Sequence, residues 1–268
     1  MNLFCLKDEV AVAIGAGGVL AGAIAEGFAK AGAKVAVLDL RLEAAEACAQ
    51  RIIAAGGQAQ AFAANAMEKE SLETARQALT AALGVPTILL NAAGGNDPKV
   101  TVTPDNPFEN IPIENWRRNF DLNLVAGAFF PCQVFGPAMV AARKGSIINI
   151  ASVSAHLPLS RVVSYSASKA AVLNLTRFLA REWAPAGVRV NSITPGFFPA
   201  DQNRKLLFND DNTPTERTRQ IWGHTPMNRF GEARELVGAA VFLASHAASS
   251  FVTGADIRVD GGFLAQTI

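Results

Sequence analysis

Tyrosine is almost absent from this 268-residue chain, which contains Tyr165 alone beside 16 phenylalanines. Because phenylalanine supplies the aromatic bulk of the core, the single phenol is best explained by its hydroxyl group. Histidine and cysteine are also scarce, with three residues each, and their wide spacing excludes an obvious metal cluster. We therefore predict no metal site and interpret Cys5, Cys48 and Cys132 as reduced packing residues of a cytoplasmic protein.

An excess of charge of one sign is lacking as well. The chain has 24 Lys and Arg residues against 23 Asp and Glu, and no basic or acidic block, so neither a nucleic acid nor a membrane surface is expected as a partner. The start, MNLFCLKDEV, has no signal-peptide pattern. No window contains the ~18 uninterrupted apolar residues of a membrane span. Half of the residues are hydrophobic, which is enough for a sizeable core.

Short apolar runs alternate along the chain with helical patterns. Strands are predicted at 10–14, 34–38, 59–64, 87–90, 146–151, 188–193 and 255–259, and helices at 20–30, 43–55, 71–83, 114–142, 164–183 and 233–245. This alternation predicts an α/β fold, a doubly wound parallel sheet of the Rossmann type with helices on both faces, in one domain spanning 1–268. The poorly periodic residues 197–230 are predicted to form a substrate lid at the carboxyl edge of the sheet.

Tyr165 is followed four residues later by Lys169, and residues at this spacing share one face of a helix. A free tyrosine titrates near pH ~10, and a neighbouring ammonium should lower that pKa. Ser152, at the end of a predicted strand, can hydrogen-bond the same substrate oxygen, so the three residues predict general acid/base chemistry. The alternative is an incidental Tyr beside a surface Lys, which Ser152 makes less attractive.

The glycine-rich turn at residues 15–18 follows the first predicted strand. Such a turn lets the backbone approach a pyrophosphate at a helix N-terminus, although glycine also ends strands for steric reasons. Asp39 closes the second strand, where an acid accepts hydrogen bonds from the adenosine ribose and repels a 2′-phosphate. We predict a dinucleotide site that favours NAD over NADP, while Arg41 keeps NADP open.

Nearly the whole chain resembles the short-chain dehydrogenase/reductase family. The matching segments are the glycine turn, Asn91-Ala92-Ala93-Gly94, Asn123, Ser152, Tyr165-x-x-x-Lys169, Pro195-Gly196 and Val259-Asp260-Gly261-Gly262. The resemblance implies a catalytic tetrad of Asn123, Ser152, Tyr165 and Lys169. In it Tyr165 exchanges the proton, Ser152 polarises the carbonyl and Lys169 also holds the nicotinamide ribose. Asn123 would kink its helix and support a water in the proton relay.

The resemblance also implies a cofactor site and an assembly. The expected cofactor-binding residues are Gly15, Gly17, Gly18, Val19, Leu20, Asp39, Asn65, Ala66, Asn91, Ala92, Ala93, Gly94, Tyr165, Lys169, Pro195, Gly196 and Phe198. Val19 and Ala21 stand where the family's turn has its last two glycines, so a shifted set of phosphate donors is expected. Asn65 replaces the family's usual Asp near the adenine, where an Asn can still hydrogen-bond an adenine amine. A homotetramer or homodimer is implied, with the late helix and the segment from Phe251 to Phe263 as the interface.

A narrower resemblance concerns the substrate. The segments Gly17-Gly18-Val19-Leu20, Ala93-Gly94-Gly95-Asn96-x-Pro98-Lys99, Pro195-Gly196-Phe197-Phe198, Gln202-Asn203-Arg204-x-Leu206-Leu207-Phe208-Asn209, His224-Thr225-Pro226-Met227 and Ser249-Ser250-Phe251-Val252-Thr253-Gly254 look like the fructuronate reductase (D-mannonate oxidoreductase) branch. This implies NADH-dependent reduction of fructuronate to mannonate, or of a related sugar acid.

A sugar acid needs a cation for its carboxylate and polar groups for its hydroxyls. Arg204 is the candidate for the carboxylate, and Asn96, Ser152, His156, Gln202 and Asn203 are the candidates for polar contacts. Apart from Ser152, each of them also fits an ordinary surface loop. Two other functions stay open: a reductase of another polyol, ketose or 3-oxoacyl substrate, and a non-catalytic dinucleotide-binding sensor. The intact Ser152, Tyr165 and Lys169 argue against the sensor.

Overall fold

The computed structural model describes residues 3–200 and 204–267. Within them, seven parallel strands form one sheet in the order β3-β2-β1-β4-β5-β6-β7. The strands are β1 Val10–Ile14, β2 Lys34–Asp39, β3 Gln58–Ala63, β4 Ile88–Asn91, β5 Gly145–Ile150, β6 Val188–Pro195 and β7 Asp256–Val259. The order turns back on itself between β1 and β4, which is the topological switch point of a doubly wound sheet.

Helices cover both faces of the sheet. They are α1 Val19–Lys30, α2 Leu42–Ala54, α3 Lys69–Leu83, α4 Ile113–Leu124, α5 Phe130–Ala142, α6 Val163–Trp183, α7 Arg204–Leu207, α8 Glu216–His224, α9 Val237–Ala244 and α10 His246–Ser249. Successive residues of a strand point to opposite faces. Ala11 and Ala13 of β1 pack with α1, α2 and α9, whereas Val12 and Ile14 pack with α3, α5 and α6. The predicted fold is confirmed.

The helix predicted over 114–142 contains a distortion. α4 passes through a π-helical turn, Val125–Phe129, into α5, so the stretch Ile113–Ala142 is continuous. By length and composition this stretch is apolar enough to cross a membrane, and half of its most apolar window is buried inside the protein. A core helix of a globular protein passes the same test, and the stretch packs on the sheet through residues such as Phe135 and Met139.

Two sequence-based expectations need correction. Cys48 and Cys132 are free and buried as predicted, but Cys5 is exposed and is therefore not a packing residue. The segment predicted to form a lid is more regular in its described residues than its weak periodicity suggested, because they contain α7 and α8 around a small apolar cluster of Leu207, Ile221 and Phe230. Gln202 and Asn203 lie outside the described residues.

Arg189 on β6 is buried, with 6% of its surface exposed. Its Nη2 donates to the carbonyl oxygen of Leu243 at 2.7 Å, and its Nη1 donates to that of Val252 at 3.4 Å. Leu243 lies in the last turn of α9, where the carbonyl groups have no intrahelical partner. Burial lowers the pKa of Arg189 to about 10. The guanidinium thus caps α9 and holds it against the sheet.

We expect Arg189→Met to destabilise the protein. The substitution keeps an apolar side chain of similar length but leaves buried carbonyl groups without a donor, which costs about 2 kcal/mol. For a chain of this size the midpoint of thermal unfolding should fall by about 4–8 °C. Arg177→Met, at an exposed arginine of α6, should leave the midpoint unchanged. Equal midpoints for the two variants would contradict the capping role.

Candidate active site

The predicted site residues follow the carboxyl ends of the strands. Because all strands are parallel, these ends meet at one edge of the sheet. The turns after β1 and β4 touch there, since a Cβ atom added to Gly15 would lie 3.0 Å from the backbone nitrogen of Ala93. Gly15 has a φ of +78°, a conformation that glycine adopts without strain. The structure therefore places both turns at the switch point.

Ser152, Tyr165 and Lys169 come together at this edge. Tyr165 lies in the first turn of α6, and the side chain of Ser152 lies close enough to its hydroxyl to lower the pKa of Tyr165. The Nζ atom of Lys169 lies 5.7 Å from the centre of the Tyr165 ring and donates to the carbonyl oxygen of Ile150 at 2.8 Å. Ser152 Oγ also accepts the backbone N–H of Ser154 at 3.2 Å. The end of β5 and the start of α6 thus hold the three side chains in contact.

The predicted direction of the Tyr165 pKa is wrong. Burial raises the pKa of Tyr165, and the hydrogen bond to Ser152 offsets this rise only in part. Lys169 is itself 4% exposed, and burial lowers its own pKa to about 8. Lys169 therefore carries its positive charge below about pH 8 and loses it above. Tyr165 is a protonated phenol at neutral pH.

Asn123 connects the loop after β4 to these residues. It is fully buried, and its Oδ1 accepts the N–H of Gly95 at 3.0 Å while its Nδ2 donates to the carbonyl oxygen of Gly95 at 2.7 Å. A Cβ atom on Gly94 would lie 2.6 Å from Asn123 Oδ1 and 3.6 Å from Lys169 Nζ. Asn123 Nδ2 also donates to the carbonyl oxygen of Asn119, one turn back, just before the helix changes to the π-helical turn.

Asn119 was missed by the sequence analysis. Its Nδ2 donates to the same carbonyl oxygen of Gly95, at 3.1 Å. The signal that could have found it is its spacing, because Asn119 and Asn123 are four residues apart on one helix face.

The turn after β1 fits a dinucleotide. Asp39 Oδ2 accepts the N–H of Gly17 at 3.1 Å, and a Cβ atom on Gly17 would lie 2.7 Å from that oxygen. The Gly18 cap of α1 supplies no side-chain hydrogen bond, so the first N–H groups of the helix can receive a phosphate. Val19 is 45% exposed at this end, and Leu20 follows it half-buried. This arrangement fits the expected shifted set of donors.

Two predicted cofactor residues have side chains that are hydrogen-bonded to other protein groups. Asn91 is buried and donates to Asn149 Oδ1 at 2.8 Å, which ties β4 to β5. Asn65 Oδ1 accepts the N–H of Met67 at 3.1 Å, and its Nδ2 donates to Glu68 at 2.8 Å. Both side chains thus have structural partners.

The other predicted cofactor residues present mainly backbone atoms at this edge of the sheet. Ala66 is buried, and Ala92 and Ala93 form the turn beside Gly15. Gly196 donates its N–H to Val259 at 2.9 Å, next to Pro195 at the end of β6. Phe198 is buried, and its ring occupies the space that a side chain on residue Gly231 would need.

The described substrate candidates are bound to other protein groups. His156 Nε2 lies 3.1 Å from Asp256 Oδ2. Asn96 is exposed, and its Nδ2 donates to Thr101 at 2.7 Å. Arg204 is exposed; its Nη2 donates to Asn212 at 2.6 Å and its guanidinium lies over the Phe208 ring at 5.4 Å. No contact in the described residues brings these three to the tetrad.

A cavity of about 380 Å³ opens beyond the ends of β6 and β7, and none of its lining residues belongs to the tetrad. Among its lining residues are Phe198, Arg229, Glu235, Arg258 and Asp260. Residues 3–200 and 204–267 contain no group of three or more His, Cys, Asp or Glu side chains arranged to hold a metal ion. The contacts of the tetrad, rather than the cavity, therefore mark the candidate chemistry.

Known proteins are similar to this chain in sequence and fold. A family model described as enoyl-(acyl carrier protein) reductase matches residues 15–264. An uncharacterized oxidoreductase of Haemophilus influenzae is 39% identical over 98% of this chain and 95% of its own length. The chain belongs to the short-chain dehydrogenase/reductase family. As a member of this family it is a nicotinamide-dependent oxidoreductase that acts on alcohol groups.

Other members of the family carry more specific names. The D-threitol dehydrogenase of Mycolicibacterium smegmatis is 35% identical over 97% of this chain and 94% of its own length. A crystal structure from Haemophilus influenzae, provisionally named a D-mannonate oxidoreductase and containing NAD, has a TM-score of 0.92 at 38% identity, covering 98% of this chain and 97% of that one. A structure from Beutenbergia cavernae has a TM-score of 0.88 at 36% identity, covering 99% of this chain and 100% of that one. It is provisionally named an NAD(P)-dependent gluconate 5-dehydrogenase and contains NADP at low occupancy.

We expect Gly94→Ala to impair the active site. Gly94 has a φ of +148°, and the added Cβ would meet Asn123 Oδ1 at 2.6 Å, so both backbone strain and a clash oppose the change. Asn123 should lose its bonds to Gly95, and NADH-dependent turnover should fall by at least about tenfold, as for other misplaced catalytic groups.

Gly84→Ala is the matched control. Gly84 also has a positive φ, +108°, but lies before β4 at the opposite edge, where a Cβ would make only an ordinary contact with Val10 at 3.6 Å. It should lower the unfolding midpoint while preserving turnover per folded molecule. Preserved turnover in Gly94→Ala would contradict the role of the Asn123–Gly95 contact.

Proposed function

We propose that this protein is an NAD(H)-dependent oxidoreductase that transfers a hydride between nicotinamide and the ketone or alcohol of a sugar acid, with D-fructuronate and D-mannonate as the pair. The observation that carries the chemistry is the contact of Tyr165 with Ser152, beside Lys169 and the Asn123-bound loop, at the carboxyl edge of the sheet. The names of the D-mannonate oxidoreductase and D-threitol dehydrogenase relatives support a polyhydroxylated substrate.

The nicotinamide, when bound, supplies the hydride for reduction and takes it up in the reverse direction. Tyr165 donates its proton to the ketone oxygen. Because its pKa is raised, the phenol is protonated when the ketone binds. Ser152 positions the Tyr165 hydroxyl and hydrogen-bonds the same oxygen. Lys169, charged below about pH 8, stabilises the phenolate that remains after proton transfer. Oxidation of the alcohol uses the same groups in reverse.

We expect Tyr165→Phe to abolish reduction while leaving NADH binding intact. The change removes only the hydroxyl, and general acid catalysis contributes about 10²–10⁴ in rate, so kcat should fall at least about 100-fold. The measurement is NADH oxidation at 340 nm with D-fructuronate, neutral ketoses and a 3-oxoacyl thioester. Ser166→Ala is the matched control, because it removes a neighbouring hydroxyl of α6 that only bonds the carbonyl oxygen of Val162.

Each outcome of this assay selects one function. Turnover of D-fructuronate that is lost in Tyr165→Phe supports the proposal. Turnover of neutral ketoses alone, or of the thioester alone, would support the catalytic role of the tetrad and contradict the proposed substrate. NADH binding without turnover on any substrate would favour the dinucleotide-binding sensor.

We also propose NAD rather than NADP as the cofactor. Asp39 Oδ2 and Oδ1 accept the N–H groups of Gly17 and Arg41, both at 3.1 Å, which fixes a carboxylate beside the phosphate-binding turn. A 2′-phosphate placed there meets this negative charge. The NAD found in the Haemophilus influenzae structure supports the choice.

Asp39→Asn should narrow the preference for NADH over NADPH. The amide keeps an acceptor for Gly17 and removes the charge, so the ratio of kcat/KM for the two cofactors should shift about tenfold or more toward NADPH. Glu70→Gln, an exposed acid in α3, controls for the change in net charge. An unchanged ratio in Asp39→Asn would show that its carboxylate does not select the cofactor.

The expected assembly, location and lid belong to the same proposal. A homotetramer or homodimer is supported by Phe251, whose side chain is fully exposed in the single chain. A monomer in sedimentation velocity would contradict this assembly.

We also propose that the enzyme is cytoplasmic and that residues 197–230 cover the substrate.

A further inference from the structure

A polar cluster joins the end of β6 to β7, the last strand of the sheet. Ser192 and Thr194 are buried on β6, and Asp256 of β7 lies opposite Ser192 in the register of the two strands. Asp256 Oδ1 accepts the hydroxyl of Ser192 at 2.7 Å and that of Thr194 at 2.8 Å. The Asp256 carboxylate is therefore fixed to the sheet by two hydrogen bonds from β6.

His156 reaches this cluster from the loop after β5. Its Nε2 lies 3.1 Å from Asp256 Oδ2 and 3.4 Å from Thr194 Oγ1, and the side chains of His156 and Asp256 are 19% and 13% exposed. Because a carboxylate only accepts hydrogen bonds, the imidazole nitrogen in this contact carries a hydrogen and donates it. A side-chain contact thus ties the loop after β5 to β7, although 100 residues separate the two partners in sequence.

The turn that ends at His156 begins at Ser152. Ser152 caps the 3₁₀ turn Val153–Ala155, and its Oγ accepts the N–H of Ser154 at 3.2 Å. The N–H of His156 donates to the carbonyl oxygen of Val153 at 3.1 Å. These hydrogen bonds make the residues from Ser152 to His156 one short unit, so a shift at its far end also moves Ser152.

The near end of this unit is held by the sheet. The N–H of Ala151 donates to the carbonyl oxygen of Ile193 at 2.8 Å, which extends the pairing of β5 with β6 by one residue beyond β5. Ser152 is therefore held from both sides. The main chain of β6 fixes the residue before it, and the contact of His156 with Asp256 fixes the end of the turn after it.

We propose that His156 and Asp256 are positioning residues that keep the Ser152 hydroxyl beside the Tyr165 hydroxyl. The inference rests on the acid/base role of Ser152 in the proposed function, and it replaces a substrate contact as the role of His156. A misplacement of about 1 Å can cost about 100-fold in rate, so a reacting side chain needs support from the groups packed around it. β7 then contributes to the chemistry through a carboxylate that acts on Ser152 by way of His156.

Three substitutions separate this role from a general loss of structure. His156→Leu removes the donor to Asp256, and the carboxylate keeps Ser192 and Thr194 as partners, so no buried charge is left unpaired. His156→Gln places an amide N–H close to the position of the imidazole Nε2–H and should restore the contact. His246→Leu, at an exposed histidine of α10, is the matched control.

The first measurement requires no substrate. Tyr165 is the only tyrosine, so protein that is isotope-labelled at the tyrosine Cζ carbon gives one resonance, which responds to hydrogen bonding of the phenol. Ser152→Ala should displace this resonance. His156→Leu should displace it in the same direction and should add nothing in the Ser152→Ala background, because contacts that act through one group are not additive. His156→Gln and His246→Leu should keep the original resonance.

The positioning role would be overturned by any of three results in this experiment. The resonance could stay unmoved in Ser152→Ala, which would remove the contact that His156 is proposed to support. It could stay unmoved in His156→Leu. It could also be displaced further by His156→Leu in the Ser152→Ala background, which would show that His156 affects Tyr165 by another route.

The second measurement is NADH-dependent reduction of the ketones named above. His156→Leu should lower kcat about tenfold or more while the KM for the ketone and the affinity for NADH stay nearly unchanged, the signature of an interaction made in the transition state. His156→Gln should recover most of the lost kcat, and His156→Leu should cause no further loss in the Ser152→Ala background.

The two measurements distinguish this inference from the proposed function. A raised KM with unchanged kcat in His156→Leu would show that His156 binds the substrate and would overturn the positioning role. Unchanged turnover together with an unmoved resonance would overturn the positioning role and leave the proposed function standing. The expected displacements of the resonance, without turnover of any ketone, would support the positioning role and overturn the proposed function.

Discussion

The two hydrogen bonds between Asn123 and the backbone of Gly95 are the contact on which the active site depends. A fully buried amide must satisfy its polar atoms, and Asn123 does so by holding the loop after β4. That loop touches the first glycine turn through Ala93 and approaches Lys169 through Gly94. One helix side chain thus links the glycine turn after β1, Lys169 and the start of the loop after β4. The same amide bonds the preceding helical turn, immediately before the π-helical distortion.

The sequence predicts those structural features that depend on the spacing of residues close together along the chain. The alternation of strands and helices predicts the parallel sheet, and the four-residue spacing of Tyr165 and Lys169 predicts their contact. Contacts between distant segments carry no such periodic signal. His156 meets Asp256 from 100 residues away, and only the folded sheet brings them together. The Tyr165 pKa was predicted in the wrong direction for a related reason: spacing reveals a neighbouring charge, whereas the burial of both groups comes from tertiary packing.

The glycines of the cofactor turn show how a departure from the family pattern is accommodated. Gly15 and Gly17 remain where a Cβ would collide with the Ala93 backbone or with Asp39. Val19 begins α1 with its side chain exposed, so it does not obstruct the turn from inside. Ala21 is buried, where a small side chain fits between helix and sheet. Steric need thus decides which positions must be glycine, and the helix N-terminus keeps its phosphate donors because they are backbone groups.

One unfavourable local feature of this chain lies directly beside the catalytic tyrosine candidate. Lys169 is a buried ammonium that lies 5.7 Å from the centre of the Tyr165 ring and donates only to the carbonyl oxygen of Ile150 among the described residues. The buried Arg189 donates to backbone carbonyl groups through Nη1 and Nη2 while its Nε has no partner, and Arg229 is paired with Glu235. A fold that satisfies its polar groups in general departs from this where a ligand completes the interactions. The cost of burying Lys169 beside Tyr165 therefore marks this edge of the sheet by an argument independent of the catalytic motif.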